Sequence, residues 1–192
     1  MGSGVFLGSL VAAPLLRDDL SPLEDAVSAY AVGPGGGVQT AGFILPGPAF
    51  VGLAVALRRG LGTGRAAAVA SGLVGVFGIS SVLVGLLPTD AADVERTATG
   101  EAHARVAAVA LASVPLAMPF ARAALARRPV LASLRRPTSV LSIAAAAWFA
   151  AMVATLGRDA FAVTERGLLV TVHVWLIVVA VGLRRADGQR RA

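Results

Sequence analysis

Asp90 and His103 are the residues of this 192-residue sequence whose types and spacing best suit joint chemistry. They lie in the polar stretch GLLPTDAADVERTATGEAH, residues 85–103, which leaves one apolar run and enters the next. A carboxylate that orients an imidazole makes a usable general base. Ser21, Ser28, Thr89 or a water would be the group it activates, and the reaction would be hydrolysis or group transfer. The structural reading of the same residues is the favoured one. Asp90 would cap a turn, His103 would sit at headgroup level, and Arg17 or Arg105 would pair with the acids. Polar residues at a membrane interface need no further role, unlike charges at mid-bilayer.

His173, in TVHVW, is the second of two histidines. Two facing imidazoles can ligate a haem or a metal. With no cysteine and few acids in the apolar runs, the expected role is instead a hydrogen-bonded packing histidine. Arg17, Tyr30, Arg105 and His173 are the residues expected to meet a lipid headgroup. No cofactor or metal is expected.

The elements that must position these groups follow from composition. The chain is 56% hydrophobic, its mean hydropathy is +0.77, and 15% of its residues are charged. A soluble globular domain carries about 25% charged residues. The excess falls into six apolar runs: 2–16, 40–57, 66–87, 103–125, 140–156 and 167–183. Crossing the hydrocarbon core takes about 20 residues, range about 17–25. Runs two to six meet this, some with help from their flanks, and the first is a short span. A signal peptide is disfavoured there, because a positive n-region and a clear A-x-A site are missing. The runs lack the alternation of a barrel strand. The sequence thus predicts an all-α, six-helix transmembrane bundle in a single integral membrane domain, 1–192.

Every one of the 17 basic residues is arginine, and the high Ala, Val and Gly usage suits GC-rich bacterial coding. The expected address is a bacterial cytoplasmic membrane. Nucleic acid is rejected as a partner, because the arginines occupy short loops rather than one aromatic-lined face. Twelve of them (58, 59, 65, 122, 127, 128, 135, 136, 184, 185, 190 and 191) flank alternate loops and the tail, against five (17, 96, 105, 158 and 166) on the other side. The positive-inside rule then puts both termini in the cytoplasm. The acids agree: Asp187 falls on the arginine-rich side and the other ten opposite.

In the first external loop, residues 17–40, SPLE reads as a helix start, with Ser21 as cap and Pro22 at the first helical position. Leu23, Ala26, Val27 and Tyr30 share a face, so a short amphipathic helix on the membrane surface is expected. It ends in GPGGG, residues 33–37. Ser71, Gly75, Gly78 and Gly85 mark the third span's close-packing face, with self-dimerisation the lesser alternative. Pro46, Pro48, Pro115 and Pro119 predict kinks.

The order DDLSPLEDAVSAYAVGPGG, QTAGFILPG, GLLPTD and TGEAH, over residues 17 to about 125, resembles bacterial membrane proteins of domain of unknown function family 998 (DUF998). The resemblance implies about six spans, a Ser-containing first loop before a Gly-Pro turn, a Pro-x-Asp motif closing the third span and a histidine opening the fourth. Members often carry Phe before that Pro and sometimes a second histidine. Here Leu87 and a lone His103 stand instead, which argues against a paired-histidine metal site. The resemblance implies no established activity.

Three functions of different classes fit. One is an accessory protein whose outer loops bind lipid or a protein partner. Another is a hydrolase or transferase acting on outer-leaflet lipid through Asp90 and His103. The third is a small transporter, disfavoured because ion coupling usually places acids at mid-membrane.

Overall fold

The computed structural model describes residues 2–91 and 94–191, and its regular elements are helices. Helix α1, Gly2–Ala12, runs on into a 3-10 turn, Ala13–Leu16. After the first loop come α2, Gly37–Ile44, and α3, Gly47–Leu61. The remaining helices are α4, Arg65–Leu86; α5, Ala98–Leu125; α6, Arg135–Ala154; and α7, Phe161–Arg191. Five segments are long and apolar enough to cross a membrane: Gly37–Leu61, Arg65–Leu86, Ala98–Leu125, Pro129–Ala154 and Phe161–Gln189. The chain is a multi-pass membrane protein. Gly2–Leu16 is apolar but shorter.

Proline fixes the break in the second span. Pro46 and Pro48 lack an N–H to continue the ladder, and α2 stops at Ile44 before α3 resumes at Gly47. In hydrocarbon, backbone polar groups need a protein partner. Ser81 of α4 supplies one, donating to the Phe43 carbonyl at 2.7 Å. Pro115 and Pro119 do not split α5, which is one helix of 28 residues.

Small residues let α4 approach α2 and α3 closely. A Cβ added at Gly78 would lie 2.8 Å from the Gly47 carbonyl oxygen and 2.9 Å from the Val51 nitrogen. Gly85 abuts Phe43 and Ile44 in the same way, and Gly75 faces Ala54. The small face of α4 is therefore taken up by α2 and α3 of the same chain. The core is centred on Val74, Val114, Met118, Leu168, Trp175 and Leu176, all essentially inaccessible. Trp175 Nε1 donates to Thr138 Oγ1 at 3.2 Å, which meets the polar need of a buried indole.

Two ends of the bundle have different chemistry. At one end Arg128 Nε donates to the Gly60 carbonyl at 2.9 Å, and Gly60 packs against Leu183, so the arginine-bearing segments gather there. At the other end the first loop meets the start of α7 through Asp25 and Arg166, and the Leu87 carbonyl meets His103. The two groups of arginines separated in the sequence thus occupy opposite ends of the fold. Asp93 lies outside the described residues, as do the side chains of Arg190 and Arg191.

The first loop differs in detail from its expected helix. Residues 21–25 form a turn, in which the Asp25 carboxylate accepts from Ser21 N at 2.8 Å and the Leu23 N–H donates to Ser21 Oγ at 3.3 Å. The short helix begins only at Val27 and is a 3-10 helix, Val27–Ala31. Val27 and Tyr30 are buried against the bundle and Leu23 is exposed. The loop is a strap over the end of the bundle. The reason is Glu165, which draws the Val27 N–H inward.

Candidate functional site

Asp90 and His103 are near each other but not bonded. Asp90 Oδ1 accepts from Thr97 Oγ1 at 2.7 Å, and Oδ2 accepts from Thr97 N at 3.0 Å. Thr97 is the N-cap of α5, and its hydroxyl accepts from Gly100 N at 3.0 Å. A Cβ on Gly100 would collide with the Asp90 carboxylate. Asp90, Thr97 and Gly100 therefore form one capping unit, with a negative charge at the positive end of the α5 dipole. The Thr97 hydroxyl and N–H, in that order, hold the Asp90 carboxyl below its ordinary value of 3.8. Both of its oxygens are committed to Thr97, so the expected orienting of His103 by Asp90 is not what this geometry provides.

His103 is oriented by the backbone instead. Its Nδ1 lies 2.6 Å from the Leu87 carbonyl oxygen. A carbonyl only accepts, so Nδ1 carries a proton, and in the tautomer this selects Nε2 is a bare acceptor. Nε2 is buried and has no hydrogen-bond partner among the described residues. His103 is 3% exposed and faces a cavity of about 50 Å³. Ser28, Ser81, Glu165, Phe6 and Leu169 also line it. A water needs roughly 10–15 Å³ of such space, so the cavity has room for a few waters or one small group.

Glu165 is the residue that sequence reasoning missed. Counted with the loop acids, it is in fact 7% exposed, five residues into α7. Its Oε2 accepts from Val27 N at 2.8 Å. Spacing carried the signal: Ala162, Leu169, Val172 and Leu176 are buried at helical intervals from it. Next to it, Arg166 Nη1 donates to the Asp25 carbonyl at 2.7 Å, and its guanidinium lies 5.5 Å from the centre of the Tyr30 ring. Tyr30, expected at a headgroup, is buried under this cation, and that desolvation raises its phenol pKa.

The other residues singled out lie apart from the cavity. Arg17 is buried and pairs with Asp19 at 2.7 Å, while Nη1 donates to the Val32 carbonyl, so it staples the loop rather than offering a free charge. Arg105 is exposed and pairs with Glu101 at 2.9 Å, one helical turn away. Ser21 sits in the 21–25 turn and does not line the cavity, whereas Ser28 does. His173 is fully buried. Its Nδ1 lies 2.8 Å from the Leu169 carbonyl oxygen, and its ring stacks on Phe6 at 4.1 Å with Phe50 and Phe77 at its edges. That aromatic cage is a packing environment. Among the described residues no group of three or more His, Asp or Glu side chains is placed to hold a metal ion.

A membrane-embedded helical bundle with a small, mostly apolar cavity that carries His103, Glu165, Ser28 and Ser81 under a loop strap is the class these features define. The family model described as "Protein of unknown function (DUF998)" matches residues 1–182, and the chain belongs to that family. The match extends through α6 and most of α7, beyond the segment whose motifs carried the resemblance. No curated protein and no solved structure matches the chain.

Proposed function

We propose that the protein is a binding or accessory protein of the membrane, with its polar site in the cavity of His103, Glu165 and Ser28 and with that end facing outward. The observation that carries the reading is the unpartnered, buried Nε2 of His103. A buried acceptor without a donor is costly, by about 1–3 kcal/mol. A hydroxyl or ammonium group from a lipid headgroup, or a donor from a protein partner, would relieve it once the strap lifts. The arginine distribution supports the orientation, with both termini cytoplasmic.

The test is mass spectrometry of lipid and protein that co-purify with the chain from its host membrane. The material held at this site is expected to fall at least tenfold in His103→Ala and Glu165→Gln and to persist in Arg105→Gln. Undiminished retention in both site variants would overturn the reading.

A hydrolase or transferase acting on outer-leaflet lipid is the second reading. Its support is that Ser28 lines the same cavity as the bare Nε2. In it His103 acts as base on Ser28 or on water, with the Leu87 carbonyl in the orienting role that Asp90 was expected to fill. A host lipid profile unchanged by Ser28→Ala and His103→Ala would remove it.

A further inference from the structure

At the arginine end the bundle is open. A groove of about 690 Å³ runs between α3 and α7. Its inner end is closed by Gly2, Ser3, Ala49 and Phe50, and its mouth carries Arg59, Arg184 and Asp187. Gly2 packs against Ala49 and Phe50, so α1 covers only the half of α3 nearest the loop strap. The groove is the strip of α3 and α7 beyond that cover.

Its dimensions and chemistry match one kind of occupant. From Ala49 to Arg59 α3 rises about 15 Å at 1.5 Å per residue. That is half of a hydrocarbon core of roughly 30 Å, the depth of one leaflet. The walls along this length are Leu53, Ala56, Ile177, Ala180 and Leu183. A Cβ at Gly52 would meet nothing within 4 Å, so the floor there is empty. Arg59 and Arg184 are exposed at the mouth, and neither is held by an acid or a carbonyl among the described residues. Arginine presents a planar fork of donors suited to phosphate oxygens.

We propose that this groove is a binding site for an anionic phospholipid, with one acyl chain along α3 and α7 and the phosphate on Arg59 and Arg184. Volume, depth and charge each fit, and a soluble anion would leave the apolar walls uncovered. The arginine end is also the end assigned to the cytoplasmic leaflet, which is rich in anionic lipid. The site is independent of the His103 cavity at the opposite end.

Native mass spectrometry of the full chain, titrated in detergent with phosphatidylglycerol and with phosphatidylcholine, tests it. Wild type is expected to retain one phosphatidylglycerol at least tenfold more strongly than phosphatidylcholine. Arg59→Gln with Arg184→Gln should abolish that preference. Gly52→Leu, which projects into open space, should displace the lipid without disturbing the fold. His103→Ala should keep the wild-type preference. Equal retention of both lipids by wild type, or an undiminished phosphatidylglycerol adduct in the arginine double variant or in Gly52→Leu, would overturn the proposal. If a variant fails to fold, the rise in wild-type melting temperature on adding each lipid decides the matter. A larger rise with phosphatidylglycerol supports the site, and an equal rise refutes it.

Discussion

The two ends of this bundle handle polar groups in opposite ways. At the strap end the chain meets many of its own polar groups: Glu165 takes the Val27 N–H, Asp90 and Thr97 cap α5, and Arg166 and Arg17 donate to loop carbonyls, while His103 Nε2, the Tyr30 hydroxyl and Arg166 Nε and Nη2 are buried without a partner among the described residues. At the arginine end Arg59 and Arg184 line an open groove. Burial explains the contrast. A polar atom removed from water is costly unless it finds a partner in the protein, whereas arginines at the edge of a membrane can leave their partner to the surroundings. Glu165, set into α7, and Asp90, just beyond α4, therefore help close one end, and the near absence of acids leaves the other accessible.

Removing Glu165 should break the contrast most. Glu165→Ala leaves the buried Val27 N–H without an acceptor, at a cost of about 1–3 kcal/mol. Thermal unfolding should register the loss, and amide exchange across residues 21–36 should quicken. Glu165→Gln keeps an oxygen acceptor and should lose less.

The α5 cap comes next. Thr97→Ala should cost about 1 kcal/mol. Asp90 adds a pH signature to the same unit. Its carboxyl is held below 3.8 in the fold, so its contribution is complete above that value and is lost as pH falls through the lowered folded value. Wild type should thus exceed Asp90→Asn in melting temperature at neutral pH, and the gap should close in acid. A gap that stays constant down to pH 3 would mean that the carboxylate does not stabilise the cap.

The smallest effect is expected at the open end. Gly52→Leu should shift stability in detergent by no more than about 0.5 kcal/mol, as for other surface changes. A large loss there would show that the groove is packed, and the two ends would no longer differ in kind.

Much of this fold was legible in the sequence, because greasy runs of helical length and short arginine loops leave few alternatives. The break at Pro46 and the small face of α4 could be read from residue type alone. The site was less legible. Asp90 and His103 stand in one polar stretch, but spacing could not reveal that Thr97 would claim both carboxylate oxygens. Nor could it show that a main-chain carbonyl would fix the imidazole. Glu165 sits at the edge of an apolar run beside an arginine, so charge counting assigned it to the loop. Only its phase with Ala162, Leu169 and Val172 marked it as buried. The first loop misled for a related reason: SPLE has a helix-start pattern, but the competing pull on Val27 lies 138 residues away.

The clasp of Asp90 on Thr97 has a practical consequence. It ties the stems of α4 and α5 together at their bases, so the register of these two helices does not depend on the length of chain between them. A peptide epitope spliced in after Glu95 should leave the protein intact. Antibody access to that epitope on whole cells would then reveal directly which compartment this crossover faces.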